Sequence, residues 1–544
     1  MLRKRGVSLN QNEIEFNLLD EPWIRIQMPD LQVQEVSLTD ALLNAHQYKD
    51  LAGETPTQNI AILRVLLAVM HTVFGRMDVD GTEISITDHH SAVTRWASIW
   101  NMNCLPETPI KIYLCSQHDQ FWLFHPEHPF WQVPAAIIGT YYSAAKLNGE
   151  MMESENKSRL FLPRLNQVKD GLSYAEAARW ILHVNGYDDT SAKPKGKGLP
   201  SPGAGYLGKI GPFIAKGKNL FETLMLNFVL LRDGVELWNE NHPVWERPIP
   251  KADERTEITV PNNPAELLTL QSRRLLLKRD NHRVIGYFLL GGDFFVRENA
   301  FVEQMTVWRP VTTKKNSEVI DYYLPRQHDD SKQMWRDFTA FFVRTETQHQ
   351  PGIILWLEKL KSKKILPKSL IFYFYIVGIK YGDKDFFVTD IFSDSLSIHS
   401  GIITELGFTW QKDIEKEVNR CDCLAVEIGN LANNLALAAG NDAKIARDDA
   451  KKLFYSRVDI PFRRWLHSLD PESNNCDPET AVDDWCKTVK SIALNLGKEL
   501  VNNTGKNAFV GRMVTIKTNG REVTKHYSSP EAFNWFVYNL KKHF

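Results

Sequence analysis

The stretch VNRCDCLAVEIGNLANNL, residues 418–435, carries an apolar stripe that is typical of one face of a buried helix. Three further stripes follow it, and each can bury its single apolar face only against the others. The four stripes consist of Val418, Leu424, Ile428, Leu431 and Leu435; Ala446, Ala450, Leu453, Phe454 and Trp465, with a bend at Pro461; Val482, Trp485, Val489, Ile492, Leu496 and Leu500; and residues 532–540 after Ser528-Ser529-Pro530. Four successive amphipathic helices predict a four-helix bundle over residues 411–544.

Upstream of this predicted bundle, strand-like and helical patterns mix irregularly. Alternating apolar residues predict strands within 14–40, and residues 110–134 have strand and turn character. Apolar steps of three and four residues predict helices at 56–74, 173–184 and 219–231. The 544 residues exceed the size at which one hydrophobic core usually keeps growing. The sequence therefore predicts an α+β protein, with a large mixed N-terminal domain (1–410) before the bundle (411–544).

The composition is ordinary for a soluble globular protein, with 43% hydrophobic residues, 24% charged residues and a net charge of −1. A nearly neutral chain that binds nucleic acid must do so through local patches. The basic N-terminus lacks the apolar segment of a signal peptide, and the longest apolar run, residues 370–379, is too short to cross a membrane. We therefore expect a cytoplasmic protein without a membrane partner.

The cysteines are scattered and show no paired CxxC spacing, at Cys104, Cys115, Cys421, Cys423, Cys476 and Cys486. Cys421 and Cys423 fall on different faces of a predicted helix, and no further ligands follow at a workable distance for zinc. We interpret the cysteines as free thiols in a reducing compartment, and we expect neither a metal nor a cofactor.

Residues 193–218, KPKGKGLPSPGAGYLGKIGPFIAKGK, hold seven glycines, six lysines and four prolines but no acidic residue. Glycine lets main-chain N–H groups approach a phosphate or a base edge, and lysine supplies positive charge for the same groups. A flexible linker is the alternative interpretation of this composition. Because a linker has little reason to exclude every acid while keeping Tyr206, Ile210 and Phe213, we favour a nucleic-acid contact.

Motifs of common enzyme classes are missing from the sequence, including HExxH, GxSxG, GxxxxGK[ST] and a strand-following GxGxxG. His125 and His128 are candidates for a shared metal, but each precedes a proline. That arrangement favours an extended turn over a helix face that presents both imidazoles. A metal-dependent nuclease that uses these histidines remains the alternative to a protein without catalysis.

The second predicted bundle helix is rich in basic side chains, among them Lys444, Arg447, Lys451 and Lys452. A run of this kind is usually a solvated helix face. Several basic elements in a neutral chain also fit contacts with DNA phosphates. A pure scaffold, whose bundle only docks neighbouring subunits, is a further alternative.

Several blocks resemble the large subunit of the type I-E CRISPR Cascade complex, a family called CasA. The stretch FNLLDEPWI at residues 16–24 resembles the opening strand and turn of that family. Further similar blocks follow in the order that the family has, at residues 121–133, the glycine-rich span, residues 220–231, NHPVW at 241–245 with Arg247-Pro248, MTVW at 305–308, and KLFY at 452–455 with Ile460-Pro461. The resemblance covers nearly the whole chain.

The resemblance implies a non-catalytic subunit of an RNA-guided complex that recognises the protospacer-adjacent motif in double-stranded DNA and helps to open the duplex. In such complexes base pairing to the guide RNA reads most of the target, while protein reads a short duplex motif. The implied partners are the guide RNA, the other Cascade subunits, target DNA and a CRISPR helicase–nuclease that is recruited after opening.

The resemblance also implies where the contacts lie. A glycine loop would contain Gly203, Ala204, Gly205, Tyr206 and Gly208 with Lys209, and a wedge hairpin would contain Lys380, Tyr381, Gly382, Asp383 and Lys384. Arg297 is the implied basic finger, and Phe161, Arg164 and Asn166 are implied in a loop that contacts RNA and assembles the complex. The bundle cations would add further DNA contacts.

This sequence departs from the family pattern at two places. Some family members carry a cysteine-rich metal knuckle around residues 250–300, where this chain has no cysteine. Ala204 and Tyr206 stand where more glycine is expected. Because the minor groove mainly separates A·T from G·C pairs, we expect tolerance for several related motifs.

Overall fold

The computed structural model describes residues 13–152, 157–158, 171–190, 193, 198–251, 254–315, 318–344, 348–473, 476–518 and 521–544. The chain forms two compact units, and the mixed α+β class is confirmed. The first unit comprises the described residues up to Lys332 with Arg344–Leu366 and Tyr373–Ser395. The second comprises Gln333–Val343, Pro367–Phe372 and Leu396–Phe544, so two upstream segments join the C-terminal helices. The domain limits 1–410 and 411–544 stay a prediction.

The elements up to the C-terminal helices are, in chain order, β1 (Glu15–Asn17), β2 (Ile24–Gln27), β3 (Val33–Val36), α1 (Leu38–Leu43), β4 (Asp50–Leu51), α2 (Pro56–Arg76), α3 (His89–Met102), α4 (Glu107–Ser116), β5 (Trp122–Phe124), β6 (Thr140–Ser143), α5 (Ala144–Leu147), β7 (Met151–Met152), β8 (Lys157–Ser158), α6 (Tyr174–Tyr187), α7 (Tyr206–Lys209), β9 (Phe213–Lys216), α8 (Leu220–Asn227), β10 (Leu231–Arg232), β11 (Glu236–Leu237), α9 (Pro264–Leu268), β12 (Arg273–Asp280), β13 (Arg283–Gly291), β14 (Trp308–Lys315), β15 (Glu318–Pro325), α10 (Phe338–Phe342), α11 (Gly352–Ser362), β16 (Ile371–Tyr381) and β17 (Val388–His399). Among the described residues the sheets have two or three strands each.

Helix α2 is the core helix of the first unit. It begins after the Thr55 cap with Pro56 in its first turn, as the sequence predicted for residues 56–74. Among the described residues it is the one helix that is long and apolar enough to cross a membrane, and 89% of its most apolar window is buried. The sequence shows no unbroken apolar run of this length, because Arg64 and His71 interrupt it; both side chains are buried in the core.

The other helices and strands predicted for the first unit agree with the structure to different degrees. The helix predicted at 173–184 is present as α6, with a capping box between Ser173 and Glu176. The strand and turn character predicted for residues 110–134 is present only in the later part, where β5 and the turn after it lie. The first part is wrong, because α4 occupies Glu107–Ser116 and buries Ile110, Tyr113 and Leu114. The helix predicted at 219–231 is shorter, since α8 ends at Asn227 and Leu231 enters a strand.

The C-terminal part of the second unit consists of α12 (Phe408–Ala439), α13 (Ala443–Ser468), α14 (Pro478–Asn502), α15 (Gly505–Val510), β18 (Arg512–Thr518), β19 (Arg521–Tyr527) and α16 (Ser529–Lys541). Each of the four predicted helices is present, and α12 packs against α13, α14 and α16. Helix α13 runs through Pro461 without ending there. The sequence analysis did not predict α15 or the β18–β19 hairpin, which separate the third and fourth predicted helices.

Candidate nucleic-acid interface

A basic cavity of about 240 Å³ lies in the first unit, between the glycine-rich loop and the segment that follows β13. The start of β12 contributes Arg273 to the cavity wall, and the segment after β13 contributes Phe294, Phe295 and Arg297. The loop contributes Pro200, Ser201, Pro202, Ala204, Tyr206 and Lys209. The charged side chains of the lining are Lys209, Arg255, Arg273 and Arg297 against one carboxylate, Asp293. The cavity therefore has an excess of positive charge.

Three of these cations are held by neutral acceptors. Lys209 Nζ donates to the carbonyl of Pro202 (3.3 Å), and Arg297 donates to the carbonyl of Lys209 (3.3 Å). Arg255 donates to the carbonyl of Pro200 (2.7 Å). Within the described part of the chain, none of the three has a carboxylate within 4.0 Å. Their positive charge is therefore available to an anion that enters the cavity.

The fourth cation, Arg273, stabilises the glycine-rich loop. Arg273 donates through Nε to Asp188 (2.6 Å) and through Nη2 to the carbonyl of Gly203 (2.6 Å). Asp293, the acid in the lining, pairs with Arg274 (2.7 Å). The Arg273 hydrogen bonds fix the loop, and the two ion pairs offset the negative charge of Asp188 and Asp293 at the cavity.

Burial and crowding of cations perturb Lys209. Burial is the larger cause, followed by the positive charges of Arg273, Arg297 and Arg255, and together they lower the pKa of Lys209 to about 7. Burial likewise lowers the pKa of Arg297 and of Arg255. Cations held this close together repel one another, so a phosphate or another anion between them relieves the repulsion.

The Lys209 pKa predicts a pH dependence of anion binding. Binding of duplex DNA to the full chain should strengthen as the pH falls from about 8.5 to about 6, because Lys209 becomes protonated around pH 7. Its contribution to stability has the opposite sign: the unfolded chain holds this proton up to the ordinary lysine pKa, so Lys209 favours folding increasingly as the pH rises above 7. The dependence of affinity on pH across this range should be weaker in Lys209→Met than in wild type. An equal dependence in both proteins would contradict the prediction.

The glycines of the loop serve close packing as well as backbone freedom. Gly203 has φ +64°, a conformation that favours glycine. A Cβ on Gly205 would meet the carbonyl of Gly186, and a Cβ on Gly208 would meet the hydroxyl of Tyr381. The sequence analysis assigned these glycines to a direct DNA contact; in the structure two of them let neighbouring elements approach the loop.

Ala204 and Tyr206 point into the protein, at 3% and 8% exposed. The Tyr206 hydroxyl donates to Glu303 (3.0 Å), and Glu303 in turn receives both terminal nitrogens of the buried Arg64. The Tyr206 amide donates to Ser272 Oγ (3.2 Å). These two residues therefore anchor the loop from inside, and a direct nucleic-acid contact of their side chains stays a prediction.

The predicted wedge hairpin lies beside the loop. Strands β16 and β17 are neighbours in one sheet, as predicted from the apolar runs on either side of residues 380–384. Tyr381 donates to the carbonyl of Tyr187 (2.8 Å) and fills the space that Gly208 leaves open. Thr190 donates from its amide to the carbonyl of Asp385 (2.8 Å) and from its hydroxyl to that of Lys384 (2.8 Å). The glycine-rich loop and the hairpin tip are thus joined through the end of α6.

The side chains at this tip differ in their availability. Lys380 pairs with Asp330 (2.7 Å), and this hydrogen bond raises the pKa of Lys380. Asp383 and Lys384 are exposed, and Lys384 has φ +52° in the turn. Phe386 is 45% exposed directly after the turn. The tip therefore presents Lys384 and the Phe386 ring to solvent, and two exposed carboxylates, Asp383 and Asp385, flank Lys384.

Sequence reasoning missed three residues of this region, namely Arg255, Arg273 and Phe386. Tertiary structure brings the two arginines to the loop from positions about 50–70 residues away, and nothing in their local sequence indicates it. Phe386 could have been identified from the sequence, because it follows the predicted hairpin tip and begins the next strand-like run. Its exposure makes it the side chain at the tip best suited to enter a base stack.

The predicted bundle cations lie on α13 in the second unit. Lys444 and Lys452 are exposed, and Lys452 lies 3.6 Å from Asp449. The aliphatic stems of Arg447 and Lys451 cover Gly429 of α12, where a Cβ would lie 3.2 Å and 2.8 Å from their nearest atoms. Gly429 thus lets the stems of Arg447 and Lys451 pack closely against α12.

The remaining predicted sites are a loop and a histidine pair. Phe161, Arg164 and Asn166 lie outside the described residues. The His125 and His128 rings stack at 3.5 Å, and His125 Nδ1 accepts the amides of Glu127 and His128. This ring nitrogen is therefore used to close a turn, which is the arrangement that the two prolines favour. Nowhere in the described ranges do three histidine, cysteine or acidic side chains gather as metal ligands would.

The comparisons with known proteins agree along the chain. A family model described as CRISPR-associated protein Cse1 matches residues 17–496. The CRISPR-associated protein CasA/Cse1 of Thermus thermophilus is 29% identical over 503 aligned positions, and the alignment covers 89% of this chain and 92% of that protein. The crystal structure of Thermobifida fusca Cse1 has a TM-score of 0.81 at 28% identity and covers 97% of this chain and 98% of its own.

A chain from a structure described as a CRISPR RNA-guided surveillance complex shares the fold, with a TM-score of 0.64 at 14% identity over 90% of this chain and 99% of its own. The family match spans both compact units and includes the glycine-rich loop, the predicted wedge hairpin and most of the C-terminal helices. The chain therefore belongs to the CRISPR-associated Cse1 family, also called CasA, which supplies the large subunit of the type I-E CRISPR surveillance complex Cascade.

Proposed function

We propose that this subunit reads the protospacer-adjacent motif in duplex DNA with the basic cavity and opens the duplex with the neighbouring hairpin tip. The proposal rests on one observation above all. Lys209, Arg255 and Arg297, which have no carboxylate within 4.0 Å among the residues that the structure describes, surround a cavity whose wall is the glycine-rich loop. Such a cavity suits phosphate or base-edge acceptors, which the minor groove presents in a pattern shared by related motifs.

The hairpin tip supports the second half of the proposal. Tyr381 and the Thr190 contacts hold the tip against the loop, so a duplex seated on the loop would meet Lys384 and Phe386 next. An apolar side chain that enters between base steps partly unstacks them. The function of the tip is then to start the separation of strands that the guide RNA completes by base pairing.

Partners follow from the family. The proposed neighbours are the guide RNA, the other Cascade subunits, target double-stranded DNA and a CRISPR helicase–nuclease recruited after opening, all in the cytoplasm. The segment with Phe161, Arg164 and Asn166 is the proposed contact to RNA and to the assembly. We propose no catalysis by this chain, since His125 Nδ1 is engaged by main-chain amides of its own turn.

A direct test uses Cascade assembled with this chain and a target that carries 2-aminopurine beside the motif. Fluorescence should rise when the motif is present and stay low when the motif is changed, because unstacking starts at the motif. A duplex without a motif that opens equally fast would contradict the proposal. A target with a pre-opened bubble should bind regardless of the motif. This control separates recognition of the motif by protein from base pairing with the guide RNA.

Charge reversal on α13 distinguishes a DNA contact from a pure scaffold. Replacing Lys444, Arg447, Lys451 and Lys452 by Glu should leave assembly of Cascade intact and weaken DNA binding in a salt-dependent way. The slope of log affinity against log salt should fall by about one for each phosphate that the helix no longer neutralises. Filter binding at several salt concentrations measures this slope, with Lys487→Glu and Lys498→Glu on α14 as controls. Unchanged affinity would make the α13 face a solvated surface.

A further inference from the structure

The outer surface of α16 and β19 has an unusual composition. Residues 505–544 contain seven lysines and arginines but two acidic residues, in a chain whose net charge is −1. On α16 and its C-cap, Glu531, Trp535, Tyr538 and Lys542 follow one another at steps of four, three and four residues and form one stripe. Trp535 is 52% exposed and Tyr538 is 57% exposed. Large aromatic rings with this exposure are costly in water unless a partner covers them.

This stripe is the outer face of a well-anchored helix. The opposite face of α16 buries Ala532, Phe536 and Leu540 against its neighbours. Gly497 of α14 leaves room for the Phe536 ring. The exposed rings therefore do not follow from a loosely packed helix, and they sit on a rigid platform.

Lysines lie next to both exposed rings. Lys525 of β19 has its ammonium 5.9 Å from the centre of the Trp535 ring and 5.7 Å from that of Tyr527. Lys542 lies 4.3 Å from the centre of the Tyr538 ring. The Trp535 and Tyr538 rings are 6.1 Å apart and nearly perpendicular. The acidic side chain at this surface is Glu531, 3.7 Å from Lys525. Aromatic faces and ammonium groups thus alternate over a short distance.

We infer that this face, formed by Trp535, Tyr538, Lys525 and Lys542, binds single-stranded DNA. Bases stack on exposed aromatic rings, and the adjacent lysines neutralise the phosphates between them. A duplex cannot use the rings, because its base faces are already stacked on one another. A protein partner could use the rings, but it would not require the local excess of positive charge. The choice of DNA rests on the proposed function, since opening of a duplex releases a single strand.

The test uses the full chain and a labelled oligo(dT) of about 20 nucleotides, longer than one stacking platform requires. Trp535→Ala with Tyr538→Ala should lower the affinity at least about tenfold, and Trp535→Phe with Tyr538→Phe should retain most of it, because Phe still stacks. Lys525→Ala with Lys542→Ala should reduce the salt slope by about 1.4. Phe408→Ala is the matched control, since that ring is 48% exposed with Lys412 4.4 Å from its centre.

Photo-crosslinking of bromodeoxyuridine in the oligonucleotide should map to Trp535, a signal that a merely structural effect would not produce. An affinity within twofold of wild type after the double alanine substitution would overturn the inference. So would tighter binding of oligo(U) than of oligo(dT), or a variant that fails only to assemble with other Cascade subunits. Capture of motif-bearing duplex is measured in parallel. If the wild type fails to capture it, the proposed function is contradicted, whereas the oligo(dT) result still tests single-strand binding.

Discussion

Replacing Glu303 by Gln should lower the free energy of unfolding by about 3–5 kcal/mol, because the buried Arg64 then loses the charge that balances it. Both side chains are nearly inaccessible, at 3% and 1% exposed. Glu303 accepts two hydrogen bonds from Arg64 (3.1 and 3.0 Å) and one from the Tyr206 hydroxyl (3.0 Å). The substitution therefore removes the support of α2 and of the glycine-rich loop together. Urea unfolding measures the decrease in stability, and hydrogen exchange of the Tyr206 amide shows whether the loop opens first.

A matched variant separates the charge from the packing. Replacing Arg64 and Glu303 together by Met removes both charges and keeps an apolar filling of similar length. This pair should recover most of the stability that Glu303→Gln loses, since a buried ion pair and a well-packed apolar pair are often of similar stability. A Glu303→Gln protein whose free energy of unfolding stays within about 1 kcal/mol of wild type would show that the Arg64 charge is balanced elsewhere.

Replacing Lys209 and Arg297 by Met should reduce the affinity for motif-bearing duplex about hundredfold. Each substitution keeps an apolar stem and removes the charge together with one hydrogen bond to a loop carbonyl. One interaction with a phosphate or a base edge contributes about 1–3 kcal/mol to the binding free energy, and the double variant loses two such interactions. Electrophoretic mobility shifts with assembled Cascade measure the effect, and circular dichroism verifies the fold.

Lys49→Met is the control for this pair. Lys49 also donates to a main-chain carbonyl, that of Lys218 (3.1 Å), but it is exposed and does not line the cavity. Its substitution should change the affinity by less than about twofold, as an isolated solvated cation would. Equal effects of both substitutions would mean that general positive charge, and not the cavity, binds the duplex.

The C-terminal helices were predictable because amphipathic periodicity is local. The Leu424, Ile428 and Leu431 stripe and the Ser528-Ser529-Pro530 start signal need no tertiary information. The β18–β19 hairpin was missed although Asn519-Gly520 is a strong hairpin signal in the sequence. Helix α4 was missed for another reason: Pro109 and β-branched residues such as Ile110 favour extended structure locally, and burial against neighbouring elements outweighs that preference.

The candidate site was predictable only in part. The absence of acids in residues 193–218 drew attention to the segment that lines the cavity, but the other lining residues come from distant positions in the chain. Arg255 and Arg273 approach the loop through tertiary contacts, which sequence spacing does not encode. Gly205 and Gly208 were assigned to a ligand because composition does not distinguish a backbone that approaches a ligand from one that approaches its own protein.

The most direct measurement is capture of every variant of the protospacer-adjacent motif at two salt concentrations, by Cascade that carries wild-type chain or Lys209→Met/Arg297→Met. We expect the wild type to bind several related motifs, and the double variant to lose that preference while its salt slope falls by about two. The same motif preference and the same slope in both complexes would contradict the central claim that this basic cavity reads the duplex.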